Sequence, residues 1–197
     1  MTQTKQRLSA EARRAAVLDT ACSVFSRSSY RGATTAEIAR EAGISEPILY
    51  RHFGSKRDLY LACLDEAWQT FHEEATQALA DDPVGCLGVI SDRYMAKGSK
   101  FRVVDLWIQA LTEASDDPVI AKALRQQIRD MHDFIADVIR DGQQRGVVHT
   151  DRDAEAEAWI FVGGGLLATM DSRLGDLLGD DLQRVRTERR RWMLAKP

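Results

Sequence analysis

The chain has little cysteine, little proline and no long apolar run, and each shortage removes a class of protein. Its three cysteines, Cys22, Cys63 and Cys86, are odd in number and lack the spacing of a metal-binding set. Each sits in an apolar helical context, so packed, reduced thiols are expected in preference to a disulfide or a sensor thiol. With only four prolines, and 13 glycines falling mostly between periodic segments, the chain is free to be helical nearly throughout. The longest apolar run, Ala158 to Met170, covers 13 residues. A spanning helix needs about 20, so no membrane segment is expected. The first residues, MTQTKQRLSAEARR, carry no apolar core of the kind a secretory signal needs, and a cytoplasmic protein is expected. His72, His132 and His149 lie far apart without H-x-x-x-H spacing. His72 beside Glu73 and Glu74 has the makings of an acid–base pair, but a solvated helix surface is the expected reading. No nucleophile–base pattern and no cofactor motif is visible, so neither an enzyme nor a cofactor or metal protein is expected.

What the chain does have is an uneven charge. The formal net charge is −3. Residues 1–60, however, hold 10 Lys+Arg against 6 Asp+Glu, while residues 61–197 hold 17 against 24. A basic head on an acidic body fits a phosphate-facing domain joined to something of another kind.

The head contains the most informative stretch, Thr34 to Lys56, TTAEIAREAGISEPILYRHFGSK. Thr34 is a good N-cap, and Glu37 three residues later completes a capping box. Ile38, Ala39 and Ala42 form an apolar face at helical spacing, and Gly43 supplies the freedom for a sharp corner. Ser45 is placed to cap a second helix, with Pro47 tolerated in its first turn. Ile48, Leu49 and Phe53 anchor that helix, and Gly54 follows it. Two short helices about a glycine turn are a helix-turn-helix, whose second helix enters the DNA major groove. Thr34, Thr35, Tyr50 and Lys56 are types that hydrogen-bond phosphates around such a helix. Glu46, Pro47 and Arg51 are candidates for base edges, or for merely lining the groove. Arg donates to guanine, Glu accepts from cytosine N4, and Pro touches a thymine methyl. Ser45 and His52 complete the expected DNA-facing set. Arg13 and Arg14 could reach phosphates from the preceding helix or stay solvated.

These residues resemble the DNA-binding domain of the TetR/AcrR family of transcriptional regulators. The resemblance rests on Tyr30 and Gly32, Thr34-Thr35, Ile38-Ala39, Ala42-Gly43-Ile44-Ser45, Leu49-Tyr50, His52-Phe53, and Ser55-Lys56 with Leu59. Ala21 and Val24-Phe25 match the family's first helix, so residues 12 to 65 are covered. Three positions depart: Pro47-Ile48 where Gly-Thr is common, Arg57 where an acid is common, and Ser29 where Gly is common. The first lies on the recognition helix and bears on the operator sequence rather than the fold. The resemblance implies phosphate contacts at Thr35, Tyr50 and Lys56, and a homodimer whose last two long helices form a four-helix bundle. It also implies a body that encloses a small-molecule cavity.

Periodicity beyond the head completes an all-α protein of about nine helices: a helix-turn-helix head of residues 1–57 and a helical body of residues 58–197, for which the resemblance implies ligand binding and dimerisation. The first helix is expected over 9–27, with Ala12, Ala16, Leu18, Ala21, Val24 and Phe25 inward. A long helix over 55–80, roughly 39 Å at 1.5 Å per residue, joins head to body. Further helices are expected over 82–98 (Leu87, Ile90, Tyr94 and Met95 inward) and 101–114 (Val104, Trp107, Ile108 and Leu111 inward). The next starts at Asp117-Pro118, repeats as Ile120, Leu124, Ile128, Met131, Ile135, Val138, and closes at Gly142 and Gly146. Another opens at Thr150 and Asp153, and the last covers 180–194. Trp68, Phe71, Tyr94, Trp107, Phe134 and Trp159 are either core or the aromatic wall of a pocket. Gly163, Gly164 and Gly165 inside a helix cost about 1 kcal/mol each relative to Ala. They mark close helix packing, either within a subunit or, as the resemblance implies, at a dimer seam with Trp159 and Leu167. Arg184, Arg186 and Arg189 to Arg191 form a basic tail helix, read as a solvated face or a seam rim.

The expectation is therefore a homodimeric, DNA-binding regulator on a palindromic operator, a repressor released by a small, largely apolar or aromatic effector. A constitutive or architectural DNA-binding protein is the alternative.

Overall fold

The computed structural model describes residues 9–81, 103–175 and 177–194. Among them are eight helices and no strand: α1 (Ala10–Arg27), α2 (Thr35–Glu41), α3 (Glu46–His52), α4 (Lys56–Asp81), α5 (Val103–Ala114), α6 (Pro118–Gln144), α7 (Ala154–Arg173) and α8 (Asp181–Met193). The helix expected over 82–98, with Leu87, Ile90, Tyr94, Met95 and Cys86, lies outside the described residues, as does the side chain of Val104. The chain divides into two compact units, Met1–Ala67 and Trp68–Pro197, and the division falls inside α4. No described helix is long and apolar enough to cross a membrane.

In the first unit, α1 packs on α2 and α2 on α3. Ser9 caps α1 by accepting from Ala12 N, and Thr34 caps α2 by accepting from Glu37 N at 3.1 Å. Gly43, with φ +67°, makes the corner that other residues would adopt only under strain. The core is built from Val17, Leu18, Ala21, Val24 and Phe25 of α1, Ile38 of α2, Leu49 of α3 and Leu59 of α4. Full burial stabilises each such large aliphatic or aromatic side chain by about 1.5–3 kcal/mol. Ala12 and Ala16 are exposed, contrary to expectation, and Val17 and Cys22 take the inward places. Phe25 and Tyr60 meet edge to face at 4.9 Å, with Tyr30 against Tyr60 at the same separation. Cys22 and Cys63 are buried free thiols. Burial pushes the Cys63 thiol well above its usual range, which suits packing rather than reactivity.

In the second unit α6 packs on both α5 and α7. Asp117 caps α6 through Val119 N and Ile120 N. The predicted stripe is inward at Ile120, Leu124, Met131, Ile135 and Val138, and half-buried at Ile128. Leu111 of α5, expected inward, is 48% exposed. Gly142 does not end α6. It lies buried within the helix because Val148 folds back on it, so that a Cβ there would stand 2.7 Å from Val148 Cγ2. Gly146, with φ +74°, makes the turn that follows. Asp153 rather than Thr150 caps α7, accepting from Glu155 N and Ala156 N. An isolated antiparallel bridge, Val148 to Leu194, ties the end of α8 to the loop after α6.

Candidate nucleic-acid interface

The seven-residue α3 is held by one fully buried side chain, Leu49, with Phe53 buried just beyond its end. At 100° per residue, anchoring Leu49 turns the opposite arc outward, and Pro47, Tyr50 and Arg51 are indeed exposed. His52 is half-buried, its ring 6.4 Å from that of Phe53. Ser45 occupies the N-cap position, but its side chain makes no capping bond. The exposed side chains are thus a cation with a planar donor fork, a phenol and an apolar ring, a set suited to base edges and backbone.

Around α3 the predicted phosphate-binding residues are differently placed. Thr34 is exposed, and its hydroxyl accepts the capping bond, which leaves its hydrogen to donate. Thr35 is buried and donates to Glu46 Oε1 at 2.6 Å, while Tyr50 Oη lies 3.1 Å from Thr35 Oγ1. A hydroxyl has one hydrogen. Thr35 gives its hydrogen to the carboxylate, so Tyr50 is the donor to Thr35. Lys56 stands over the Tyr30 ring, Nζ 4.7 Å from the centroid, and the Arg14 guanidinium lies 4.8 Å from the centroid of Phe53. Both cations rest on aromatic faces, which helps to aim them. Arg27 bridges to Glu41 and joins α1 to α2. The Thr35–Glu46–Tyr50 chain was not foreseen. Positions eleven and fifteen residues apart meet only through the corner at Gly43.

In the second unit, three of the residues proposed as a pocket wall come together. Trp68 stacks on Phe71 at 5.7 Å, and Phe71 meets Phe134 of α6 edge to face at 6.2 Å. His72 joins them, 5.6 Å from Trp68 and 5.0 Å from Phe134, so it is part of an aromatic cluster and not a bare surface histidine. Its signal was its spacing of four from Trp68, which puts both on one helix face. Trp107 is buried and donates to Gln127 Oε1 at 3.2 Å. Trp159 belongs elsewhere: it is 45% exposed and stacks on His132 at 4.4 Å. Tyr94 lies outside the described residues.

His132, Asp133 and Glu155 place ligand-type atoms within 4.8 Å of one another. The ring nitrogens are engaged on opposite sides, Nδ1 with Asp133 at 2.8 Å and Nε2 with the Glu155 carbonyl at 3.1 Å, and Arg140 pairs with the Glu155 carboxylate. The group closes on itself and ties α6 to α7. Glu157, buried on α7, receives Arg152 at 2.8 Å and Arg189 of α8 at 3.5 Å. Burial lowers the Arg189 guanidinium below its ordinary range, and Glu157 opposes that shift. Arg189 therefore turns inward, also facing Phe161, while Arg184, Arg190 and Arg191 are exposed.

Along α7 the surface is apolar: Trp159, Ile160, Leu166 and Met170 are each at least 37% exposed. Gly163 and Gly164 lie in the same stretch, and a Cβ added to either meets nothing within 4 Å. Gly165 is buried and Leu167 half-buried.

Comparison with known proteins places this geometry. The model of the bacterial regulatory proteins, tetR family, matches residues 17–63, and that of the BetI-type transcriptional repressor, C-terminal, matches residues 92–163. The transcriptional regulator TtgR of Pseudomonas putida is 28% identical over 186 residues, 87% of each chain. The A-factor receptor protein of Streptomyces griseus is 29% identical over 83% of this chain and 57% of its own. The transcriptional activator FasR of Mycolicibacterium smegmatis is 42% identical, but over only 37% of this chain and 33% of its own length. Among solved structures, a transcriptional regulator from Cytophaga hutchinsonii superposes with TM-score 0.82 at 19% identity, over 98% of this chain and 100% of that one. A transcriptional regulator from Saccharomonospora viridis, in complex with choline, gives 0.79 at 24% identity, over 95% and 100%. At these identities the structures speak to the fold.

Proposed function

The chain belongs to the TetR family of DNA-binding transcriptional regulators, which are not enzymes, and from that premise we propose that it works as a homodimeric repressor on a two-fold operator. In this reading residues 1–57 read DNA, and residues 58–197 hold the second copy and an effector.

The observation that carries the dimer is the open face of α7. Trp159, Gly163, Leu166 and Met170 recur at i, i+4, i+7 and i+11, one stripe of a helix. Among the described residues, packing within one subunit does not account for Gly163 and Gly164, since a Cβ added to either meets nothing within 4 Å. A second copy laid along the stripe does, because absent side chains let two helix backbones approach. The test is sedimentation equilibrium with operator titration. A dimer that binds a palindrome with half-sites about one helical turn apart, roughly 34–36 Å or a multiple, is expected. A monomer that binds a single asymmetric site would contradict the proposal.

The effector reading is supported by the Trp68, Phe71 and Phe134 cluster and by the names of two relatives, a receptor protein and a regulator holding choline. α4 begins at Lys56 and carries Trp68 and Phe71 further on, so one helix bears a DNA contact and a wall residue. A small, largely apolar or aromatic molecule that prefers one setting of α4 weakens DNA binding by its differential affinity for the two settings. That coupling is ordinarily about 1–3 kcal/mol, or roughly 5- to 150-fold. A thermal-shift library screen followed by operator titration with each hit tests this. A hit that raises the melting point and loosens the operator is expected. A library without hits would favour a constitutive regulator.

A further inference from the structure

We propose that Glu46 is a positioning residue that makes phosphate contact by Thr35 and Tyr50 conditional on the base read by α3. The inference rests on the DNA-binding reading above.

Phosphate oxygens only accept hydrogen bonds, so a hydroxyl contacts them as a donor. In the structure neither hydroxyl has a hydrogen to offer. Thr35 donates to Glu46 at 2.6 Å, and Tyr50, 3.1 Å from Thr35 Oγ1, donates to Thr35. The exposed Tyr50 hydroxyl therefore presents lone pairs outward, beside the half-buried Glu46 carboxylate, while buried Thr35 is occupied by both, and lone pairs and carboxylate alike repel a phosphate. The short Thr35–Glu46 contact has the length of a charge-assisted bond, about 2.5–2.7 Å, and these are stronger than neutral ones. It will not open without compensation.

A carboxylate that leaves one donor needs another. In the major groove the base-edge donors are the cytosine N4 and adenine N6 amino groups. Glu46 is the first residue of α3, next to exposed Pro47 and one turn before exposed Tyr50, and is only half-buried. On a duplex that offers an amino group there, Glu46 turns to the base, Thr35 is released, and Thr35 and Tyr50 turn their hydrogens to the backbone. On any other duplex the chain stays closed and the phosphate meets acceptors. Glu46 thus acts chiefly by weakening binding to wrong sequences, specificity obtained through repulsion as much as attraction.

The experiment titrates the full chain and its Glu46→Ala and Glu46→Gln variants against the selected operator, single-base-pair variants of it, and an unrelated duplex, at one salt concentration. Glu46→Ala should bind the unrelated duplex several-fold more tightly. It should also lose preference at one base pair per half-site by roughly 5- to 150-fold, the ordinary worth of one base contact. Glu46→Gln, which removes the charge but keeps the size, should share the gain on the unrelated duplex and change the preferred base pair. A purely structural role would alter all sequences alike and leave the base preference in place, which overturns the inference. Equal or weaker binding of both variants to the unrelated duplex overturns it too. If the unsubstituted chain selects no operator, the proposed function itself fails and the inference with it. If it selects one and Glu46→Ala reads it unchanged, only the inference fails.

Discussion

The two units of the chain distribute polar and apolar groups in opposite ways. In the first unit, among the described residues, Thr35 is the buried polar side chain and Tyr50 the exposed large apolar one, and the two are hydrogen-bonded to each other. In the second, Asp105, Gln127, His132, Glu157 and Asp171 lie inside while Trp159, Ile160, Met170, Val185 and Trp192 lie outside. The buried charges have partners. Arg173 reaches Asp105 at 3.2 Å, Arg152 and Arg189 reach Glu157, and Asp171 accepts from Leu178 N at 2.6 Å. The exposed apolar groups of α7 and α8, Trp159 stacked on His132 among them, keep a large share of their surface open among the described residues. The first unit is complete as a single copy and keeps a polar surface for a polyanion. The second leaves an apolar stripe on α7 exposed, which in the proposed dimer would meet the same stripe of a second copy by symmetry.

Breaking the second unit's open face should have the largest effect. Gly164→Leu puts a side chain into space that one chain leaves empty, so the subunit should fold while the seam is blocked. Operator affinity should then fall about 10²- to 10⁴-fold, because two linked half-sites become two separate ones. Sedimentation showing an intact dimer with full operator binding would remove the seam. Breaking the first unit's interior comes next. Leu49→Ala empties the site that seats α3 and should cost about 2–5 kcal/mol, read by denaturant titration. An unchanged midpoint would mean that α3 is held some other way.

How far these features were legible in the sequence follows the same division. Helix starts were readable where a short polar side chain closes a bond within three residues, as at Thr34 and Asp117. The stripe of α6 is readable because Ile120, Leu124, Met131, Ile135 and Val138 recur at helical spacing and are all buried. Thr150 and Asp153 together mark the start of α7, and of the two it is Asp153 that caps the helix, because its carboxylate accepts from Glu155 N and Ala156 N. Gly142 looked like a stop because nothing local announces that Val148 will return to lie on it. The same limit hid Glu46. Its type made it a candidate for base reading, but its bond to Thr35 depends on the corner between two helices. Local chemistry is written in short spacings, and contacts across a turn are not.

Smaller effects sharpen the contrast. Arg51→Ala, at an exposed position of α3, should weaken operator binding by about 1–3 kcal/mol and relax preference at one base pair. Lys56→Ala should instead weaken every duplex alike and flatten the salt dependence by about 0.9 in slope. Equal effects on all sequences from both would put Arg51 on the backbone. Smallest of all is the contrast between glycines. Gly142→Ala should destabilise by about 1–3 kcal/mol through its clash with Val148. Gly163→Ala, open within its own chain, should raise monomer stability by up to about 1 kcal/mol at low protein concentration. That gain should shrink as concentration rises and the seam forms. Melting curves across a concentration series separate the two.

The central claim, a symmetric pair of subunits reading DNA through α3, is tested most directly by selection from a random duplex pool with the purified full chain. The account predicts an inverted repeat, its half-sites about 10–10.5 base pairs apart or a multiple, bound by an even number of subunits. A single unrepeated motif bound by one subunit would contradict it.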